Sequence, residues 1–176
     1  PFNWVHVAKK INKLSPDLVV FQWWHPYFAP CYQIICSLLK TKEILFVCHN
    51  VFPHERFPMD RLLTQATLKK GKYYIVHSKL DEEDLLSVKK DARYKKAVIP
   101  TYNVFNKSQL EKDDARKILN VAQNEFVLLF FGLVREYKGL KHLLKALSII
   151  KNKIPNVKLY IVGDFGGEKD HYLKII

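Results

Sequence analysis

Short, continuous apolar runs alternate along this chain with longer stretches whose apolar residues recur every three or four positions. "DLVVFQW" predicts a buried strand and "YQIICSLLK" the helix after it. "EILFVCH" predicts the next strand. A polar loop follows, and then a helix from about Met59 to Lys70, with Gly71 suited to its C-terminal cap. "YYIVHS" predicts a third strand, after which Ser78 can cap a helix beginning "KLDEEDLL", whose acidic first turn suits the positive end of the helix dipole. "KAVIP" predicts a fourth strand, stopped by Pro100. From Thr101 to about Gln109 the pattern is irregular.

The pattern then restarts. A short charged helix, "EKDDARKILN", precedes the strongly apolar strand "EFVLLFFGL". In "GLKHLLKALSIIKNKI", Leu140, Leu143, Leu144, Leu147 and Ile150 fall at helical spacing, and Pro155 ends that helix. "VKLYIVG" predicts another strand, and "HYLKII" begins a further helix. Strands alternating with helices, and apolar on both faces, belong in parallel sheets covered by helices on both sides. The expected class is therefore α/β, in two parallel-sheet domains divided near residues 101–124. Parallel sheets carry their ligand groups beyond the strands' C-terminal ends. Those ends are "QWWHP", "CHNVFPHE", "HSKLDEE", "FGLVREYKG" and "VGDFGG", where polar residues and glycines concentrate.

Composition narrows the picture a little. The hydrophobic content of 48% excludes a disordered chain. A net charge of +12 favours an anionic partner: nucleic acid, a lipid surface or a phosphorylated small molecule. The Lys pairs at 9–10, 69–70, 89–90 and 95–96 are scattered and form no single stripe, so nucleic acid is not an expected partner. Cys31, Cys36 and Cys48 suggest no disulfide framework, which favours a reducing cytoplasm. No stretch has the form of a signal peptide. The apolar region Leu18–Leu39 is broken by His25, Pro26 and Pro30, so it is not an expected membrane span. The first residue is Pro1, and the true N-terminus is expected to lie upstream.

Three stretches could carry chemistry. In "HNVFPHE" the two histidines do not have the H-E-x-x-H spacing, and Pro53 disfavours a helix through them, so no metal site is expected. His49, directly after a strand, is placed either to be satisfied by backbone groups or to point into a cleft and stabilise charge or bind a hydroxyl. In "FFGLVREYKGLKHLL", Gly132 ends a strand and Gly139 opens a helix, with Arg135 and Lys138 between them. Two cations near a helix N-terminus can hold a diphosphate, although the same charges would also serve an ordinary solvated turn. "YIVGDFGG" places Gly163, Gly166 and Gly167 where a ligand could approach the backbone closely. Of Trp23 and Trp24, on opposite faces, one is expected in the core and the other can line a cleft, while His25 is expected to be structural.

Taken in order, "PDLVVFQWWHPYFAP", "HNVFPHE", "YYIVHS", "VIPTYNVF" and "LLFFGLVREYKGLKHLLKAL" resemble glycosyltransferase family 4, the group 1 glycosyltransferases. The resemblance runs over nearly the whole chain, and "FFGLVREYKGL" is its most specific motif. It implies a GT-B fold of two Rossmann-like domains. Residues 1–107 would be the C-terminal part of the acceptor-side domain, and 108–176 the start of the nucleotide-sugar donor domain. It also implies sugar transfer from a nucleotide-sugar donor to a glycan or lipid-linked acceptor, with retention, no required metal and no cofactor.

Residue by residue, the resemblance makes His49 the histidine near the donor sugar and reaction centre. Lys138 becomes the lysine of the phosphate-binding loop, and Gly163 the glycine after the second strand of the donor domain. Many members carry an arginine directly after the glycine matching Gly132, where this chain has Leu133; Arg135 is the candidate to supply that charge. Asn50, His54 and Glu55 receive cleft roles. A glycine-rich loop before this segment and a Glu-x7-Glu element after it belong to the family pattern. The chain is therefore expected to be the middle of a longer enzyme and inactive alone. The protein is expected in the cytoplasm, with basic helices suited to the anionic inner face of the membrane. A Rossmann-like sugar-nucleotide-binding module without catalysis is the alternative.

Overall fold

The structure is a computed structural model, and it describes residues 2–101, 110–165 and 169–174. The chain divides into two units, Pro1–Thr101 and Tyr102–Ile176. In the first, helix α1 (Phe2–Leu14) leads into strand β1 (Val19–Trp23), and a single 3-10 turn (Pro26–Phe28) opens helix α2 (Ala29–Leu38). Strand β2 (Ile44–Cys48), helix α3 (Asp60–Leu68), strand β3 (Tyr73–Val76), helix α4 (Lys79–Val88) and strand β4 (Arg93–Lys96) follow. The four strands form one parallel sheet in the order β1-β2-β3-β4.

The core lies on one face of that sheet. Phe21 and Trp23, Ile44, Phe46 and Cys48, and Tyr74 and Val76 alternate inward from successive strands, as the two-residue period of a strand requires. Ala8, Ile35, Leu68 and Leu85 meet them, one from each helix. Residues of the opposite face, such as Val20, Leu45, Val47 and Ile75, do not join that cluster. Among the described residues the sheet is thus covered on one side, where helices on both sides were expected. Apolar residues on the outer face of β2 and β3 made those strands look doubly buried in the sequence.

Two local expectations are also corrected. The fourth strand is "RYKK", not "KAVIP". Its Tyr94 pairs with Tyr74 on the buried face, and Glu82 of α4 accepts from Tyr94 Oη and from Lys96 Nζ. An edge strand with one solvated face can be this polar, which hides it from a search for apolar runs. Val98 lies past the pairing, 89% exposed. Gly71 is not a left-handed cap: α3 ends at Leu68, and Lys69 at the cap is right-handed. Glycine is needed at 71 for space. A Cβ there would lie 2.7 Å from Phe46 Cδ2 and 2.8 Å from Tyr74 Oη.

In the second unit, helix α5 (Lys112–Ile118) precedes strand β5 (Phe126–Phe131). A 3-10 turn (Glu136–Lys138) leads into helix α6 (Leu140–Lys153), then strand β6 (Val157–Val162) and helix α7 (Lys169–Leu173). β5 and β6 pair in parallel. Val134, Leu140, Leu144 and Tyr172 form the buried centre, with Phe130, Leu159 and Ile161 packed against it. Leu129 and Phe131 face the other way and are exposed. Both units therefore have the mixed α/β, parallel-sheet construction of Rossmann-like domains. The irregular stretch 102–109, and Gly166 and Gly167, lie outside the described residues.

Candidate functional site

Two sets of predicted residues each gather at the C-terminal ends of a parallel sheet, one set in each unit. In the first unit, β2 and β3 run side by side with Cys48 opposite Val76, so the next residues, His49 and His77, emerge at matching positions. Their rings lie 5.7 Å apart. Both line a cavity of about 630 Å³ together with Asn50, His54, Ser78 and Asp81. Glu55 is exposed beside this cavity and does not line it.

The loop from 49 to 59 is held by contacts that its sequence does not advertise. Trp23 Nε1 donates to the carbonyl of Val51 across 3.0 Å, deep in the core. The Val51 amide donates to Asp81 Oδ1 at 3.1 Å, and Asp81 Oδ2 accepts from Ser78 Oγ at 2.6 Å. Ser78 Oγ in turn accepts from the Asp81 amide, which completes a cap for α4. Arg56 forms a bidentate pair with the buried Asp60 at the start of α3 and lies over the Phe52 ring. That pairing, Arg56 first, holds the Asp60 carboxyl below its ordinary range. The loop is therefore pinned at Val51 and again at Arg56, with His49 and Asn50 between it and the sheet.

His49 is the most constrained of the predicted residues. Its Nε2 lies 2.8 Å from Gln22 Oε1, an arrangement in which the imidazole N–H donates. Its ring stacks on Trp24 at 4.0 Å, nearly parallel. Trp24 is 57% exposed, while its neighbour Trp23 is fully buried, which decides which of the two belongs to the core. Partial burial, and secondarily His77, push the His49 pKa below its ordinary value. His49 is thus biased toward the neutral form. His25 closes the 3-10 turn by accepting from the Tyr27 amide, a structural task.

Two residues of this site were missed in the sequence, Gln22 and His77. His77 carried a signal, since "YYIVHS" sets a histidine after its strand just as "EILFVCH" sets His49 after its own. Cys48 is fully buried, and burial pushes its thiol up to about 12. No group of three metal-binding side chains occurs among the described residues.

In the second unit, Gly132, Arg135, Lys138 and Gly139 lie in one loop running from β5 to α6. Val134 is buried and anchors the loop's middle, with its amide donating to the Asp164 carbonyl. Gly139 takes φ +76° as the residue before α6, a conformation that favours glycine. Arg135 and Lys138 project from this anchored turn and are exposed, and neither forms an ion pair among the described residues. Two exposed cations, Lys138 also lying over the Tyr137 ring, beside the first turn of a fourteen-residue helix make a surface suited to an anion. Gly163 sits against Gly132: with φ +152°, its Cβ would overlap the Gly132 carbonyl oxygen. The two strand ends therefore approach more closely than side chains would permit. A hollow of about 800 Å³ opens at the other, N-terminal, ends of β5 and β6, where none of the predicted residues lies.

Residues 111–175 match the family model described as glycosyl transferases group 1. That segment of the chain is similar to the group 1 glycosyltransferases. The chain is also similar to an uncharacterized glycosyltransferase of Methanocaldococcus jannaschii, 27% identical over 175 residues. That similarity covers 90% of this chain and 42% of the relative, so the chain spans less than half the relative's length. The matched group 1 segment contains the whole Gly132–Gly139 loop and Gly163. No described helix is long and apolar enough to cross a membrane.

Proposed function

We propose that this chain is the central part of a family 4 glycosyltransferase that moves a sugar from a nucleotide-sugar donor to a glycan or lipid-linked acceptor, with retention and without a metal. The observation that carries the reading is the glycine-bounded loop holding Arg135 and Lys138, neither in an ion pair among the described residues, at the start of α6 within the group 1 segment. When the glycosidic bond to a nucleoside diphosphate breaks, negative charge grows on the leaving phosphate. Fixed cations beside it stabilise that charge more in the transition state than in the ground state. They supply the role a divalent metal has in other sugar-transfer sites. His49, its N–H given to Gln22 and its ring stacked on Trp24, is oriented to accept a hydrogen bond at the sugar.

The test is sugar transfer by the full-length protein carrying this chain, with UDP-, GDP- and ADP-hexoses offered in turn. Lys138→Ala and Arg135→Ala are each expected to lower kcat by roughly 100-fold, the scale seen when one charge-stabilising donor is removed. Transfer is expected to persist in excess EDTA. His49→Ala separates a transferase from a non-catalytic sugar-nucleotide-binding module. In a transferase it reduces turnover far more than donor binding, whereas a binding module has no turnover to lose. The chain of residues 1–176 by itself is expected to be inactive, and measurable transfer by it would refute that.

A further inference from the structure

His77 is unassigned in the reading above, yet it shares the cavity with His49 and matches it in position on the neighbouring strand. Its Nδ1 lies 2.8 Å from the carbonyl oxygen of Ala97. A carbonyl only accepts, so Nδ1 carries the proton and the neutral ring keeps Nε2 as its acceptor. His49 is arranged in mirror fashion: Nε2–H donates to Gln22, and Nδ1 is the acceptor. Each imidazole has thus committed its one N–H to the protein and kept one lone pair. Two of the polar groups lining the cavity are already engaged. Asp81 accepts from Ser78 and from the Val51 amide, and Arg56 is paired with Asp60.

Resting on the transferase reading, we propose that His77 contacts substrate directly, accepting through Nε2 a hydrogen bond from a sugar hydroxyl beside His49. The chemistry distinguishes this ligand from the alternatives. A phosphate oxygen is itself an acceptor and gains nothing from a neutral imidazole lone pair. A metal ion would need a third ligand, and no such triad occurs among the described residues. A hydroxyl is a neutral donor that fits a bare ring nitrogen, and two adjacent acceptors suit the neighbouring hydroxyls of a hexose. His77 thereby becomes a specificity residue that reads hydroxyl positions, in addition to the charge-stabilising loop.

The experiment uses the full-length protein and two substitutions that divide the ring's functions. His77→Asn keeps an N–H at the Nδ1 position for Ala97 and removes the acceptor at the Nε2 position. His77→Gln retains a polar group near the Nε2 position and gives up the Ala97 bond. His77→Asn is expected to lower kcat/KM on the order of tenfold, with an unchanged melting temperature. With a substrate lacking the contacted hydroxyl, wild type and His77→Asn are expected to be equally fast. Deoxy-hexoses in the donor and in the acceptor are separate arms, and the arm that equalises the two proteins identifies which sugar is touched. A His77→Asn variant within twofold of wild type, alongside a destabilised His77→Gln, would reduce His77 to a support for Ala97 and overturn the proposal. If the wild-type protein transfers no sugar, the transferase reading fails, and calorimetry with UDP-, GDP- and ADP-hexoses against UDP, GDP and ADP takes over. A sugar-dependent gain in affinity that is lost in His77→Asn sustains the contact; an equal gain in both proteins removes it.

Discussion

His49 is held between Trp24, Gln22 and His77, and its environment has a consequence for pH. Burial, and then His77, keep its imidazole below the ordinary value of 6.5. As pH falls, the unfolded chain therefore takes up this proton before the folded one does. The residue's contribution to stability is complete above 6.5 and is lost as pH drops from there through the folded value. His49→Gln removes this component, so the variant's melting temperature is expected to fall less than that of wild type between about pH 7 and about pH 5.5. An equal fall in both proteins would mean that His49 titrates as it does in the unfolded chain. Much of this was legible from one position in the sequence, a histidine directly after a strand. Its partners were not legible, because Gln22, Trp24 and His77 come from other strand ends and only register brings them together.

At the scale of elements, the alternation of apolar runs and helical periodicity was enough to find β1, β2, β3, β5 and β6 and the helices between them, because each buries one apolar face. It misplaced β4, whose polar edge position gives it little apolar signal. It also attributed Gly71 to backbone conformation when the constraint is the space between Phe46 and Tyr74. The two kinds of glycine predict different costs. Gly71→Ala overpacks a core whose neighbours can shift slightly, and is expected to cost about 1–3 kcal/mol, seen as a lower denaturation midpoint with an unchanged m-value. Gly163→Ala meets the rigid backbone of Gly132 from a positive φ and cannot be relieved by a side chain moving. Its expected cost is larger, on the order of 4 kcal/mol, and it should displace the Gly132–Gly139 loop, measured as lost amide protection in β5 and β6. A Gly163→Ala protein as stable as Gly71→Ala would show that the strand ends are not in close contact.

For the whole molecule, the two units differ in how much core each contains. In the first, strands β1 to β3 and helices α1 to α4 feed one continuous cluster that includes Trp23, Phe46, Tyr74 and Leu85, all essentially inaccessible. In the second, the buried centre is Val134, Leu140, Leu144 and Tyr172, beneath a two-stranded sheet whose Leu129 and Phe131 stay exposed. Hydrophobic stabilisation scales with the apolar area removed from water, and a two-stranded sheet is weak support on its own. The first unit is therefore expected to outlast the second when this chain is heated, giving two transitions rather than one. Limited proteolysis just above the lower transition should cut first within 110–174 and leave a protected fragment ending near Thr101. Calorimetry showing one transition, with both units digested at equal rates, would mean that the chain unfolds cooperatively despite the difference in their cores. This asymmetry was not legible in the linear pattern, since β5 is among the most apolar stretches in the chain. Apolar strands predict burial only where an element exists to cover them, and the covering of each face is a property of the assembled sheet that a linear pattern does not record.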